Sequence, residues 1–293
     1  MTDEPQREKN ERPSTYVVQD RKNQEERERV TIQDQLITTS MGGILPEQDD
    51  PPIFTSLLDV ACGTGGWLIE AAKTYPTMTK LVGVDISASM IEAARSSAER
   101  EQVADRVTFH TMDTLRLLEF PKDSFELVNL RFGVSWLRKW DWAKLLNEFQ
   151  RVTRRKGSIR ITECDMMQSN SPALTTLIDT FIDALYKAGH FFSAEQDGIT
   201  SALVPLLIQH GLEQVQTREH LLTYRAGTPE GDHFAQDMAH SFHTVRPFLH
   251  KWTKVPADYE AIYQQALQEM QQPDFEATWR LVTAWGTRAT VLK

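Results

Sequence analysis

Leu58-Asp59-Val60-Ala61-Cys62-Gly63-Thr64-Gly65 is an apolar run that carries one acid and opens into a glycine turn. After a helical stretch comes a second run, Leu81-Val82-Gly83-Val84-Asp85, which also ends in an acid. Strand, glycine turn, helix, strand, acid is the half-fold that binds nucleotide cofactors. A dinucleotide fingerprint needs a further small residue three places after the second glycine, where helix and strand pack closely. That place holds Leu68, so the fingerprint fails. Glycines at the strand end still let the backbone approach a ligand with no Cβ in the way.

What remains is Asp-x-x-x-Gly-x-Gly, with Asp59 four residues before Gly63. This pattern resembles the first motif of class I S-adenosylmethionine-dependent methyltransferases, and the resemblance extends over residues 53–226. It implies S-adenosylmethionine as cofactor. In such a site the acid at the Asp59 position organises the amino-acid end, often through water. Asp85 accepts both ribose hydroxyls, because a carboxylate offers two acceptor oxygens, and Ile86 packs on the adenine. A third strand, Arg106-Val107-Thr108-Phe109-His110-Thr111, leads into Met112-Asp113, where the family places an acid for the adenine amino group. Ala61, Gly63, Gly65, Met112 and Asn129 complete the cofactor contacts that the resemblance implies.

The 293 residues, 40% of them hydrophobic, suffice for one substantial core and an accessory piece. No apolar run approaches the ~20 residues that span a bilayer, and the polar, charged N-terminus does not read as a signal peptide. A membrane is therefore not expected, and the chain is placed in the cytoplasm. Two cysteines, Cys62 and Cys164, fit that reducing compartment. Cys62 reads as a small buried hydrophobe and not as a nucleophile. A net charge of −9 and a pI near 5.4 argue against a nucleic-acid substrate. Arg151, Arg154, Arg155 and Lys156 cluster at the end of an expected helix, where the dipole favours cations.

The alternation of elements predicts an α/β fold: a Rossmann-like, mostly parallel seven-stranded sheet with helices on both faces. Strands are expected at about 56–61, 80–85, 106–111, 125–130 and 158–162, with helices at 65–74, 87–100 and 141–154 between them. Ser87 is a good N-cap. Pro172 opens a helix that runs to Gly189, and His210-Gly211 ends another. Two short strands, 213–218 and 220–225, then close the sheet. Residues 1–14 read as disordered, and a lid helix starts near Arg21. The chain thus divides into an N-terminal arm (1–50), a cofactor-binding domain (51–227) and a C-terminal helical cap (228–293) with helices at 230–246, 256–271 and 273–286.

Ligands of an open α/β sheet lie outside the carboxyl ends of its strands, at the switch point between strands one and four. Strand four delivers Asn129-Leu130-Arg131-Phe132-Gly133-Val134-Ser135-Trp136. Asn129 is not followed by Pro-Pro, which disfavours enzymes that methylate an adenine or glutamine amino group. Phe132 and Trp136 read equally as acceptor wall and as core, whereas Trp140 and Trp142 are read as packing. Arg131 suits an acidic substrate group or pairing with an acid.

Glu163, with Asp165 beside it, ends strand five facing the same crevice by topology and is the candidate general base. His190, after the first cap-side helix, is the second catalytic candidate. His240 and His243 share a helix face, but no third ligand is evident, so no metal is expected. Tyr16 and Gln19 are placed to close over the site.

The resemblance implies methyl transfer to a small, partly apolar or aromatic metabolite, with the acceptor atom (oxygen, nitrogen or carbon) open and a homodimer allowed. Three other readings stand beside it: a protein or RNA methyltransferase, a non-catalytic S-adenosylmethionine-binding regulator, and a nicotinamide-dependent oxidoreductase.

Overall fold

In the computed structural model, residues 16–17 and 24–289 are described. The disorder expected over 1–14, and Gln19, lie outside them.

Five parallel strands form one side of the sheet: β1 (Ser56–Val60), β2 (Lys80–Asp85), β3 (Val107–Thr111), β4 (Phe125–Arg131) and β5 (Thr153–Cys164), in the order 3-2-1-4-5. The order reverses between β1 and β4, which opens a crevice at their carboxyl ends. β1 is buried at all five positions, as a strand covered on both faces must be. Its alternate residues enter two cores. Leu57 packs with Leu81, Val107 and Leu127 beneath α2 (Gly66–Thr74) and α3 (Ala88–Arg100). Leu58 and Val60 pack with Val128, Leu130, Ile159 and Ile161 beneath α4 (Trp142–Val152) and α6 (Thr200–Gln209). Helix ends follow the local chemistry. The Ser87 hydroxyl accepts from the Met90 amide at the start of α3. Ser171 caps α5 (Pro172–Ala188) in the same way, and Gly189 closes it at φ 86°.

The far edge of the sheet departs from the expected order. The two short strands expected at 213–225 are one long strand, β7 (Leu212–Arg225), bulged between Glu213 and Gln216. The helix expected over 273–286 is a strand, β8 (Glu276–Arg288), which lies antiparallel between β5 and β7. Residues 276–281 alternate half-buried and buried, the period of a strand and not of a helix. A two-residue β6 (Gln168–Ser169) pairs with the start of β8 and makes the sheet eight-stranded instead of seven.

The remaining helices α7 (Pro229–Thr244), α8 (Arg246–Trp252) and α9 (Tyr259–Glu269) are therefore an insertion between β7 and β8. α8 and α9 pack on α5, α7 packs on β7, and α1 (Gln24–Ser40) bridges α2 and α7. Arg154 and Lys156 sit in the first part of β5, not at the end of a helix. No helix among the described residues is long and apolar enough to cross a membrane.

Candidate functional site

A cavity of about 530 Å³ opens at the carboxyl ends of β1, β2 and β4 and runs under α1 toward α5 and α7. Its volume lies in the range of small-molecule sites, roughly 300–1,000 Å³.

The end at the glycine turn is polar. Ala61 (φ 58°) and Gly63 (φ 54°) both adopt left-handed backbone, which turns the chain sharply away from β1. Asp85 organises this turn: its Oδ2 accepts from the Gly63 amide at 3.0 Å and its Oδ1 from the Ser87 amide at 2.8 Å. Ile86 beside it is half-exposed on the cavity wall, and Asp113 lines the cavity a strand further on. Asp113 Oδ1 accepts from the Leu115 amide at 3.1 Å, which fixes the carboxylate. Gly65 does not line the cavity. A Cβ there would lie 2.5 Å from the Phe109 ring, so this glycine serves close helix–strand packing. Met112 also lies off the cavity, half-buried, with its amide donating to the Asp85 carbonyl at 2.8 Å.

Asp59 lines the cavity yet is only 3% exposed. Burial pushes its carboxyl up to about 6, while the Arg131 guanidinium and a hydrogen bond from Asn129 hold it back. The Asn129 Nδ2–Asp59 Oδ1 distance is 2.7 Å. Asn129 itself is fully buried and does not reach the cavity, so it touches the site only through Asp59. Burial and the neighbouring Asp85 and Asp59 carboxylates raise the Cys62 thiol well above its ordinary value, which keeps it neutral.

Part of the cavity wall comes from α1, in the region where a lid helix starting near Arg21 is expected. Arg29, Val30, Gln33, Asp34 and Ile37 of α1 line the cavity, with Tyr16 and Val17 ahead of them. Asp237 of α7 holds this helix by accepting from Arg29 Nη1 and Gln33 Nε2, each at 2.7 Å. Arg131 is paired with Asp34 of the lid, so it reads as a lid latch more than a free substrate anchor.

The far end is apolar. Met166, Met167, Ile178, Phe181, Phe242 and Val245 supply its walls, and Phe132, Trp136 and Trp279 its flank. Phe132, at φ 55°, stacks on Trp279 with ring centroids 5.9 Å apart. Trp279 belongs to the misread strand β8, and its period-2 surroundings were the available signal. Trp142 is fully buried packing; Trp140 is exposed.

Neither catalytic candidate lines the cavity. Glu163 is completely buried, and its Oε2 accepts from the Val134 amide at 3.2 Å. Burial pushes its carboxyl up to about 8, so it is protonated at neutral pH and the expectation that it faces the crevice is corrected. His190 Nδ1 donates to the Val134 carbonyl at 2.8 Å, and burial lowers the imidazole to about 4. Both side chains thus clasp one residue of the turn Gly133–Ser135, the turn flanked by Phe132 and Trp136. A Cβ at Gly133 would come 2.8 Å from Glu163 Oε1. Among the described residues, no group of three His, Cys, Asp or Glu side chains is placed to hold a metal.

A family model described as "Methyltransferase domain" matches residues 57–157. "Demethylmenaquinone methyltransferase" of Lactiplantibacillus plantarum is 34% identical over 118 residues, 40% of this chain and 48% of that protein. "Ubiquinone/menaquinone biosynthesis C-methyltransferase UbiE" of Geobacter sulfurreducens is 33% identical over 107 residues, 36% of this chain and 41% of that protein. The chain spans less than half the length of these relatives. Among solved structures, the YcgJ protein from Bacillus subtilis superposes with a TM-score of 0.54 at 17% identity, over 81% of this chain and 93% of that one. The [4+2]-cyclase SpnF superposes with a TM-score of 0.51 at 15% identity, over 93% and 97% of the two chains. At such identities these likenesses are of fold. The match over residues 57–157, the sheet order and the glycine turn together support a class I, Rossmann-like methyltransferase domain.

Proposed function

We propose that the protein transfers a methyl group from S-adenosylmethionine to a small, largely apolar acceptor. The observation that carries this is one cavity with two chemistries: acids and backbone turns at the glycine loop, and aromatic and thioether side chains beneath the cap. Asp85 and Asp113 would hold the ribose and adenine, and Asp59 the amino-acid end. When bound, the cofactor supplies a methyl group already activated by a sulfonium. The residues of this chain then orient the acceptor and exclude water, and positioning of that kind supplies much of the rate.

The walls built by α5, α7 and the chain after β5 carry no carboxylate or imidazole. Burial holds the Cys164 thiol there well above its ordinary value, so it is a poor base. The acceptor in this reading is its own nucleophile: an acidic phenol or 1,3-dicarbonyl compound whose proton has already been lost to water near neutral pH, so that no enzyme base is needed. The two relatives named above are quinone-pathway methyltransferases by their names, which supports an acceptor of this kind. A cytoplasmic location fits two cysteines that are not paired with each other.

Methyl-labelled S-adenosylmethionine, offered with a panel of hydroquinones, phenols and enolisable diketones, tests the reading. Label should move to at least one class. One observation favours a second reading, since the fold is shared with a protein named a cyclase. Tight binding of S-adenosylhomocysteine with no transfer to any acceptor would favour a protein that binds the cofactor without methyl transfer.

A further inference from the structure

Three polar side chains cross the middle of the sheet in one register row. Asp59 of β1 pairs with Asn129 of β4, and Asn129 pairs with Arg160 of β5. They are 3%, 0% and 1% exposed. Arg160 Nη1 donates to Asn129 Oδ1 at 2.8 Å, and Asn129 Nδ2 donates to Asp59 Oδ1 at 2.7 Å. At the other end Arg160 forks onto Glu47, with Nε–Oε1 at 2.7 Å and Nη2–Oε2 at 3.3 Å. Both partners of that ion pair are sealed from water. The Trp67 ring lies against the guanidinium, 5.8 Å from ring centroid to Cζ.

Burying this pair is not a cheap way to build a sheet core, because apolar side chains of similar volume often serve stability as well or better. Of the four polar residues, Asp59 alone lines the cavity. The row therefore starts in the dry interior and ends at the site.

The chemistry of the links sets a direction. A guanidinium can only donate, whereas a side-chain amide accepts at one end and donates at the other. Arg160 thus claims the Asn129 oxygen and leaves the NH2 group for Asp59. Without that guanidinium, nothing forbids the amide from turning its oxygen toward the carboxylate, which tolerates this only when protonated.

We infer that Glu47 and Arg160 are positioning residues for the cofactor site, locking the Asn129 amide so that Asp59 stays ionised and aimed at the cofactor's amino-acid end. This rests on the reading of Asp59 as a cofactor acid. Other charges also face Asp59: Arg131 from the end of β4 favours its ionised form, as Arg160 does, and Asp34 from α1 disfavours it, with the neutral Cys62 thiol in the adjoining loop. An acid raised by burial to about 6 is protonated below that pH, so cofactor affinity falls as pH drops through it. Loss of the Asn129 donor moves that fall to higher pH.

The double variant Glu47→Leu/Arg160→Met removes both charges together and strands neither. Carboxyl 13C NMR follows Asp59 in the cofactor-free protein, and calorimetry follows S-adenosylhomocysteine binding from pH 5 to 9. The Asp59 midpoint should rise by about one pH unit, so affinity should fall about two-fold at pH 7 and roughly ten-fold at pH 5, and match wild type at pH 9. Glu47→Gln/Arg160→Gln, which keeps polar contacts without charge, should move both in the same direction if the first variant does not fold. An unmoved midpoint in a folded variant overturns the positioning role and leaves the cofactor reading intact. A moved midpoint with unchanged affinity also overturns it, since the row then serves something other than the cofactor. Wild-type protein that binds no S-adenosylhomocysteine would instead defeat the underlying reading of Asp59.

Discussion

Replacing Glu163 with glutamine should alter how stability depends on pH more than it alters catalysis. The carboxyl is completely buried at the end of β5 and rises from 4.5 to about 8, burial outweighing the backbone N–H groups of Val134 and Gly133. The folded protein therefore keeps a proton that the unfolded chain releases. For an acid raised on folding, stability is fully present below the unfolded value and falls as pH climbs toward the folded one. At about 1.36 kcal/mol per pH unit, the loss between pH 4.5 and 8 approaches 5 kcal/mol.

Glutamine, neutral throughout, escapes that loss. It still accepts from the Val134 amide but buries an NH2 group beside Gly133, at a cost of about 1–3 kcal/mol. Glu163→Gln should thus be the less stable protein at pH 4 and the more stable at pH 8, by a few kcal/mol in each direction at most. Urea unfolding followed by tryptophan fluorescence at pH 4, 6 and 8 measures this directly. Parallel stability profiles for the two proteins would refute the burial argument. Turnover of the variant should stay within a few-fold of wild type, because Glu163 does not line the cavity.

Three further outcomes follow from particular contacts. Asp85→Ala should weaken S-adenosylhomocysteine binding about a hundred-fold or more, since charge-assisted hydrogen bonds contribute roughly 1.5–3 kcal/mol each; retained affinity by calorimetry would remove Asp85 from the site. Its melting temperature should also drop by a few degrees, because Asp85 holds the Gly63 and Ser87 amides. Asp237→Ala removes the acceptor that Arg29 and Gln33 share and should speed trypsin cleavage within α1 without changing the global unfolding midpoint by more than a degree or two; an unchanged cleavage rate would show that this clasp does not hold α1. Trp142→Ala empties a fully buried position and should cost about 3–5 kcal/mol, read as a fall in melting temperature on the order of 10 °C; a drop of only a degree or two would mean the site collapses around the void.

The parallel half of the sheet was readable because its signals are local. Apolar runs, the glycine turn, the Ser87 cap and the Pro172 start each mark an element boundary within a few residues. β8 reads as a helix from sequence because it follows a run of helices, α7 to α9. Thr278, Val282 and Thr283, with Trp279 and Trp285, form the β-branched and aromatic pattern of a strand.

The acids at strand ends, Asp59, Asp85 and Asp113, are legible in the sequence, and all three line the cavity. Orientation was harder. Asp59, Asn129 and Arg160 share a row, and that face is set by pairing register, which a single strand does not reveal. Glu163, three residues past Arg160, points to the opposite face and meets Val134 instead of the cavity. The lid and apolar walls come from α1, α5 and α7, whose apolar faces look alike whether they cover core or ligand.

The most direct test of the central claim is calorimetric titration of the full chain with S-adenosylhomocysteine at neutral pH, with NADH as the control. Micromolar binding of S-adenosylhomocysteine, with none for NADH, is the result this account predicts. No heat from S-adenosylhomocysteine in folded protein, or binding of NADH in its place, would contradict it.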